Sequence, residues 1–135
     1  MRERPLAHLG RVLWLVLPPI AVMGLIYFLS AQTDEEQQRA FWEILLRKLA
    51  HVSEYALLTY LWWRALRHLD LGRLLPVAAA AVLSLAYAVS DELHQTLVAG
   101  RHGTPVDVLI DAVGIGIASA LVLWIYARRR TVGPS

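Results

Sequence analysis

Cysteine is absent from the 135 residues. That removes disulfides, thiolate metal ligands and a cysteine nucleophile together. Charge is also scarce: Asp, Glu, Lys and Arg make up 18% of the chain, against 57% apolar residues. The basic residues stand at the chain ends and in one loop, with no stretch in which they interleave with aromatics, so nucleic acid is not an expected partner. There is no internal repeat and no low-complexity segment. A secretory leader is not expected either. The first apolar run, residues 12–29, exceeds an h-region of ~7–15 residues, and Leu29-Ser30-Ala31 is a poor small-x-small cleavage site. With ~100–200 residues to an ordinary domain, the length allows one domain over residues 1–135.

What the chain has in quantity is uninterrupted apolar sequence. VLWLVLPPIAVMGLIYFL, at 12–29, leaves no polar face for water, which a soluble amphipathic helix requires. At ~1.5 Å per residue it covers roughly 27 Å, close to a hydrocarbon core of ~30 Å. Similar runs follow at about 48–66, 74–97 and 105–127. The expected fold class is therefore all-α, a polytopic membrane protein with four transmembrane helices in a bundle. An even number of spans puts both termini on one side. Arg2, Arg4, Arg11, Arg64, Arg67, Arg73, Arg128, Arg129 and Arg130 share that side, against Arg39, Arg47, Lys48 and Arg101 on the other. The bias makes both termini cytoplasmic.

The segment from Ser30 to Arg47, with Asp34, Glu35, Glu36 and Glu43, reads as a polar outer loop running into an interfacial helix over 33–46. Pro18-Pro19 predicts a kink in the first span. Trp14, Tyr27, Trp62, Trp63, Trp124 and Tyr126 lie near span ends, where interfacial aromatics belong. Gly114 and Ala118, four apart, predict a close approach of another helix.

The polar residues inside the spans are not scattered. Lys48, His51 and Tyr55 share one face at the outer end of the second span, with Glu54 beside them. The third span reaches Asp91, Glu92, His94 and Gln95 only after the apolar stretch 74–89, and the fourth starts with Asp107 and Asp111, one turn apart. Three helices thus bring polar turns to one depth, although the orientation came from arginine bias alone. Ionisable groups at membrane depth are costly, face inward, pair, and commonly mark function. Glu54, Asp91, Glu92, Asp107 and Asp111 set five negative charges against Lys48 and Arg101, a net of −3 that a partly dehydrated site does not hold uncompensated. Protonated His51 or His94, carboxylates sharing protons, or a divalent metal would each supply the balance. Asp91-x-x-His94 and His51-x-x-Glu54 have a spacing that can chelate from one helix, although an i, i+3 pair is a weak signal by itself.

Each group also has an ordinary reading. Arg101 can be a solvated loop charge, or can join Lys48 in holding a phosphate. His51 and His94 can be hydrogen-bonded bundle residues. The whole cluster can be structural, although buried ion pairs are poor stabilisers of a bundle.

Three stretches together, Lys48-Leu-Ala-His51-Val-Ser-Glu54-Tyr55, Ser90-Asp91-Glu92-Leu-His94-Gln95, and Gly100-Arg101-His-Gly-Thr-Pro-Val-Asp107-Val-Leu-Ile-Asp111-Ala-Val-Gly114, resemble the VanZ-like family of bacterial integral membrane proteins. Ser30-Ala31-Gln32 is also similar to that family's pattern. Where the family often has a serine before the aspartate of the outer loop, this chain has Thr104-Pro105, and Asp111 stands where an asparagine is common. The resemblance implies a cell-envelope context in the bacterial membrane, the family's namesake being associated with low-level resistance to the glycopeptide teicoplanin.

The expected function is an outward-facing site that binds or modifies a lipid or glycolipid headgroup. His51, Glu54, Glu92, His94 and Asp107 are the candidate acid–base groups; Lys48, Tyr55, Asp91, Gln95, Arg101 and Asp111 are the candidate binding groups. Neither Ser53 nor Ser90 sits in a nucleophile elbow, which favours direct water attack or metal assistance over a covalent route. A non-catalytic assembly or drug-binding protein with a structural cluster is the alternative, and a homo-oligomer stays open. A proton-coupled transporter is disfavoured, because the inner halves of the spans lack a relay of ionisable groups.

Overall fold

A computed structural model describes residues 4–31, 40–98 and 103–131, with side chains described for 9–31, 40–98 and 103–129. Four helices follow one another: α1 (Arg4–Ser30), α2 (Phe41–Leu66), α3 (Leu74–Gln95) and α4 (Pro105–Thr131). Among the described residues there is no strand, so the all-α expectation holds. Three segments are long and apolar enough to cross a bilayer: Leu9–Ser30, Leu74–Gln95 and Pro105–Arg129, with mean hydropathy 2.3, 1.7 and 2.3. Their outward faces carry large apolar side chains in the open, such as Trp14, Val82 and Leu109. That cost is borne in lipid and not in water.

α2 departs from the pattern in a way that matters. It is 26 residues long, but Glu43, Arg47, Lys48, His51 and Glu54 crowd its first half, and it falls outside the apolar segments just named. It is also the hub, packing on α1, α3 and α4. A helix surrounded by other helices can carry polar groups that a lipid-facing one cannot. The expected boundary near Lys48 between an interfacial helix and a span is absent, and α2 runs unbroken from Phe41. The physical reason is local: Phe41-Trp-Glu-Ile-Leu-Leu-Arg-Lys48 holds no glycine, proline or capping residue that would stop a helix. Residues 33–39 of the proposed interfacial helix lie outside the described residues.

α1 remains helical through Pro18 and Pro19, the latter fully buried. Between α2 and α3 the chain reverses through Asp70 at φ 46° and Gly72 at φ 73°, left-handed backbone that glycine adopts without penalty and aspartate tolerates. The core forms two clusters. Ile26, Tyr55, Leu58, Ala88 and Ile115 make one, and Trp63, Val77, Ala80 and Val122 the other. Gly114 meets the expectation of a close approach, since a Cβ there would overlap the Val52 carbonyl of α2. Ala118, one turn on, is 7% exposed.

At the Leu66 end of α2, arginines lie over aromatic rings: Arg67 over Trp63 at 5.0 Å, Arg73 over Tyr126 at 5.8 Å and Arg128 over Trp124 at 4.0 Å. Trp63 is more than an anchor. It is buried, and its indole N–H donates to the Tyr126 hydroxyl at 3.2 Å.

Candidate functional site

The end of the bundle opposite the arginine–aromatic belt collects the C-terminal ends of α1 and α3 and the N-terminal portions of α2 and α4. α3 delivers a polar turn there because its apolar run stops at Val89, α2 and α4 because theirs begin only after Lys48 and Asp107, and α1 contributes Ser30 just past its apolar run.

Asp91, 3% exposed, is fully engaged. The Ser30 hydroxyl donates to its Oδ1, and the Gln95 amide donates to Oδ2 at 3.0 Å. This network staples α1 to α3. Both carboxylate oxygens are satisfied, the condition under which a buried carboxylate is tolerated.

Across the bundle, His51 of α2 lies 3.0 Å from Asp111 of α4, Nδ1 to Oδ1, with Asp111 2% exposed. An ionised carboxylate can only accept, so Nδ1 carries the hydrogen and Nε2 is left to take or give a proton. Glu54 stands half-buried within electrostatic reach of His51, Asp111 and Asp91.

Asp107 opens α4 through a turn with Thr104. The Thr104 hydroxyl donates to Asp107 Oδ2 at 3.0 Å, and the Asp107 amide donates back to the Thr104 carbonyl at 2.9 Å. Thr104, Pro105 and Asp107 therefore act as a helix start, with proline in the first turn where its missing N–H costs nothing. Lys48 approaches Asp107 Oδ1 at 4.0 Å with both side chains partly open, a rim pair worth ~0–1 kcal/mol.

Three buried polar atoms at this end have no hydrogen-bond partner among the described residues: Glu92 Oε1, the Tyr55 hydroxyl and His94 Nε2. Glu92 accepts from the Thr104 backbone N–H, and Gly103 closes over it, its Cβ position lying 2.8 Å from Oε1 and 2.7 Å from the Glu92 carbonyl. Only glycine leaves room for the carboxylate there. Tyr55 is completely buried, within reach of Asp91 and Asp111. Native interiors satisfy nearly all such atoms, so unsatisfied ones need a reason.

Most of the candidates named from the sequence thus meet at one end. His94 is the exception in partnership: its ring stacks on Tyr27 with centroids 4.3 Å apart. The two i, i+3 pairs do not close on one ion, because His51 turns to Asp111 and Asp91 to Ser30 and Gln95. Among the described residues no three His, Asp or Glu side chains form a metal-ligating group. Arg101 lies outside the described residues. Sequence reasoning passed over Ser30 and Thr104 as site residues. Ser30 closing an otherwise apolar run, and Thr104-Pro105-x-Asp107 as a helix-start signature, were the available signals.

With the polar turns of the motifs gathered in one place, the match to known sequences decides the family. The VanZ/LLP1 family matches this chain over residues 12–126. The chain belongs to the VanZ/LLP1 family. The matched stretch takes in every residue of the polar end described above. The chain is also 38% identical over 88 residues to the uncharacterized membrane protein YwnJ of Bacillus subtilis (strain 168). That match covers 65% of this chain and 55% of YwnJ, so it spans about half the length of the relative. No solved structure matches this VanZ/LLP1 chain.

Proposed function

We propose that this VanZ/LLP1 protein crosses the bacterial membrane four times with both termini in the cytoplasm, and that its outward polar end binds a lipid or glycolipid headgroup and performs acid–base chemistry on it. The observation that carries the reading is the His51–Asp111 pair standing beside Glu54, with Glu92 Oε1 and the Tyr55 hydroxyl buried and unpartnered.

In this reading Asp111 orients His51 so that Nε2 takes a proton from water or a headgroup hydroxyl, the role a carboxylate–imidazole pair performs elsewhere. Glu92 and Tyr55 accept from and donate to headgroup polar groups, and Lys48 meets an anionic one at the rim. Asp91 and Gln95, engaged with Ser30, hold the site's shape. The teicoplanin link belongs to the same proposal, since a changed envelope headgroup would alter tolerance to a glycopeptide.

The test is purified protein in nanodiscs made from bacterial polar lipid and lipid-linked glycans, followed by mass spectrometry of the lipids. Wild-type protein should convert one lipid class, His51→Ala should abolish conversion, and exposed Ser53→Ala should leave it intact. Retention of one headgroup class without conversion supports the non-catalytic alternative. Neither retention nor conversion sinks the proposal. Teicoplanin tolerance of cells carrying wild-type or His51→Ala protein is the matching readout in vivo.

A further inference from the structure

A second feature lies at the opposite end and is independent of the headgroup site. A cleft of about 350 Å³ runs between α2 and α4, in the ~300–1,000 Å³ range of ligand sites. Its floor is apolar. Trp63 contributes from α2, and Ile117, Leu121 and Ile125, one turn apart, line the α4 side, with Arg67 and Arg129 at one end. No acidic side chain lines it.

We propose that this cleft holds an acyl chain of an anionic glycerophospholipid, with the lipid phosphate between Arg67 and Arg129.

Dimension, position and charge all agree with this occupant. From Ile117 to Arg129 the cleft follows α4 for ~18 Å at 1.5 Å per residue, a little over half the ~30 Å hydrocarbon core and so the depth of one leaflet. The arginines close it at the end where Arg73 and Arg128 also lie over Tyr126 and Trp124, an aromatic and basic belt of the kind that marks a bilayer interface. A guanidinium is planar and permanently charged, and two of them without a carboxylate match a phosphate diester. Arg67 can do this while remaining over Trp63, since stacking leaves the edge of the guanidinium free.

A second copy of the chain fits worse. Of the described carboxylates only Asp70 stands at this end, so a two-fold contact through the cleft would bring arginine against arginine.

The experiment is native mass spectrometry of the full chain, purified in detergent with equal amounts of phosphatidylglycerol and phosphatidylcholine carrying identical acyl chains. Wild-type protein is expected to retain phosphatidylglycerol by roughly ten-fold or more over phosphatidylcholine, given a contribution near five-fold from each arginine. Arg67→Gln with Arg129→Gln should bring the two lipids to parity. Arg73→Gln, in the same belt but outside the cleft, should keep the preference. Ala56→Leu, which fills the cleft, should lower retention of both lipids. Parity in the wild type overturns the proposal, as does loss of preference in Arg73→Gln equal to that in the double variant, which would make the belt a diffuse attractor. A lipid-free dimer that Ala56→Leu dissociates would overturn it in favour of a second copy. All variants are compared by helicity and elution volume, so that a misfolded one is recognised.

Discussion

Glu92, Gly103 and Thr104 occupy one small volume, and their contacts separate charge from shape. Glu92 Oε1 is buried without a partner, and a group in that condition costs ~1–3 kcal/mol, more when charged. Glu92→Gln keeps the volume and removes the charge. Thermal denaturation in detergent should therefore show a midpoint unchanged or higher, while headgroup retention falls; a lowered midpoint with retention intact would make Glu92 a packing residue. The two helical glycines of α4 make an equally direct pair. Gly114→Ala forces a Cβ into the Val52 backbone, and overpacking of that kind costs ~1–3 kcal/mol. Gly116 has open space around it, so Gly116→Ala should leave the midpoint unchanged or raise it, alanine being ~0.5–1 kcal/mol better in a helix. Equal behaviour of the two variants would remove the close α2–α4 approach. At this scale the sequence was half legible. The period of the helix placed Lys48, His51, Asp91, Asp107 and Asp111 at one depth, but pairing depends on how helices are rotated against each other. Nothing in His51-x-x-Glu54 announces that His51 will turn to Asp111, sixty residues away in the chain, because the contact depends on the close α2–α4 backbone approach at Gly114.

The helices themselves were legible wherever apolar composition and helical character coincide, as in α1, α3 and α4. α2 is where they separate. Its helical run starts at Phe41, while its apolar run starts near Leu49, and composition alone placed an element boundary between them that the backbone does not make. Whether α2 spans the bilayer is a question about its surroundings, and cysteine chemistry can answer it, since the chain has none of its own. Phe41, 71% exposed at the start of α2, and Leu71, 44% exposed just past its end, lie at opposite ends of that helix. In intact cells a membrane-impermeant maleimide should label Phe41→Cys directly and Leu71→Cys only after permeabilisation. Labelling of both without permeabilisation would refute the four-span topology, and the reverse pattern would turn the polar end to the cytoplasm.

At the scale of the molecule, the bundle is polar at one end and basic at the other, and α2 is the axis on which three helices meet. α1 is attached differently from the rest: it packs on α2 and α3 and makes no packing contact with α4 among the described residues. Its polar ties include Ser30 to Asp91, the Met23 carbonyl to the Tyr87 hydroxyl, and the Trp14 carbonyl to Arg64. Stability is expected to be uneven in such an arrangement, with the least-contacted element opening first. Val22 on α1 and Val122 on α4 both pack against the core, and valine to cysteine is a small change of shape at either. On heating in detergent, Val22→Cys should become reactive to a thiol reagent at lower temperature than Val122→Cys. Adding Ser30→Ala should widen the gap, because it frees α1 while leaving the His51–Asp111 pair untouched. Coincident curves that Ser30→Ala shifts together would mean instead that Ser30–Asp91 couples all four helices into one cooperative unit, and the polar end would then be as much the keystone of the fold as the seat of its chemistry.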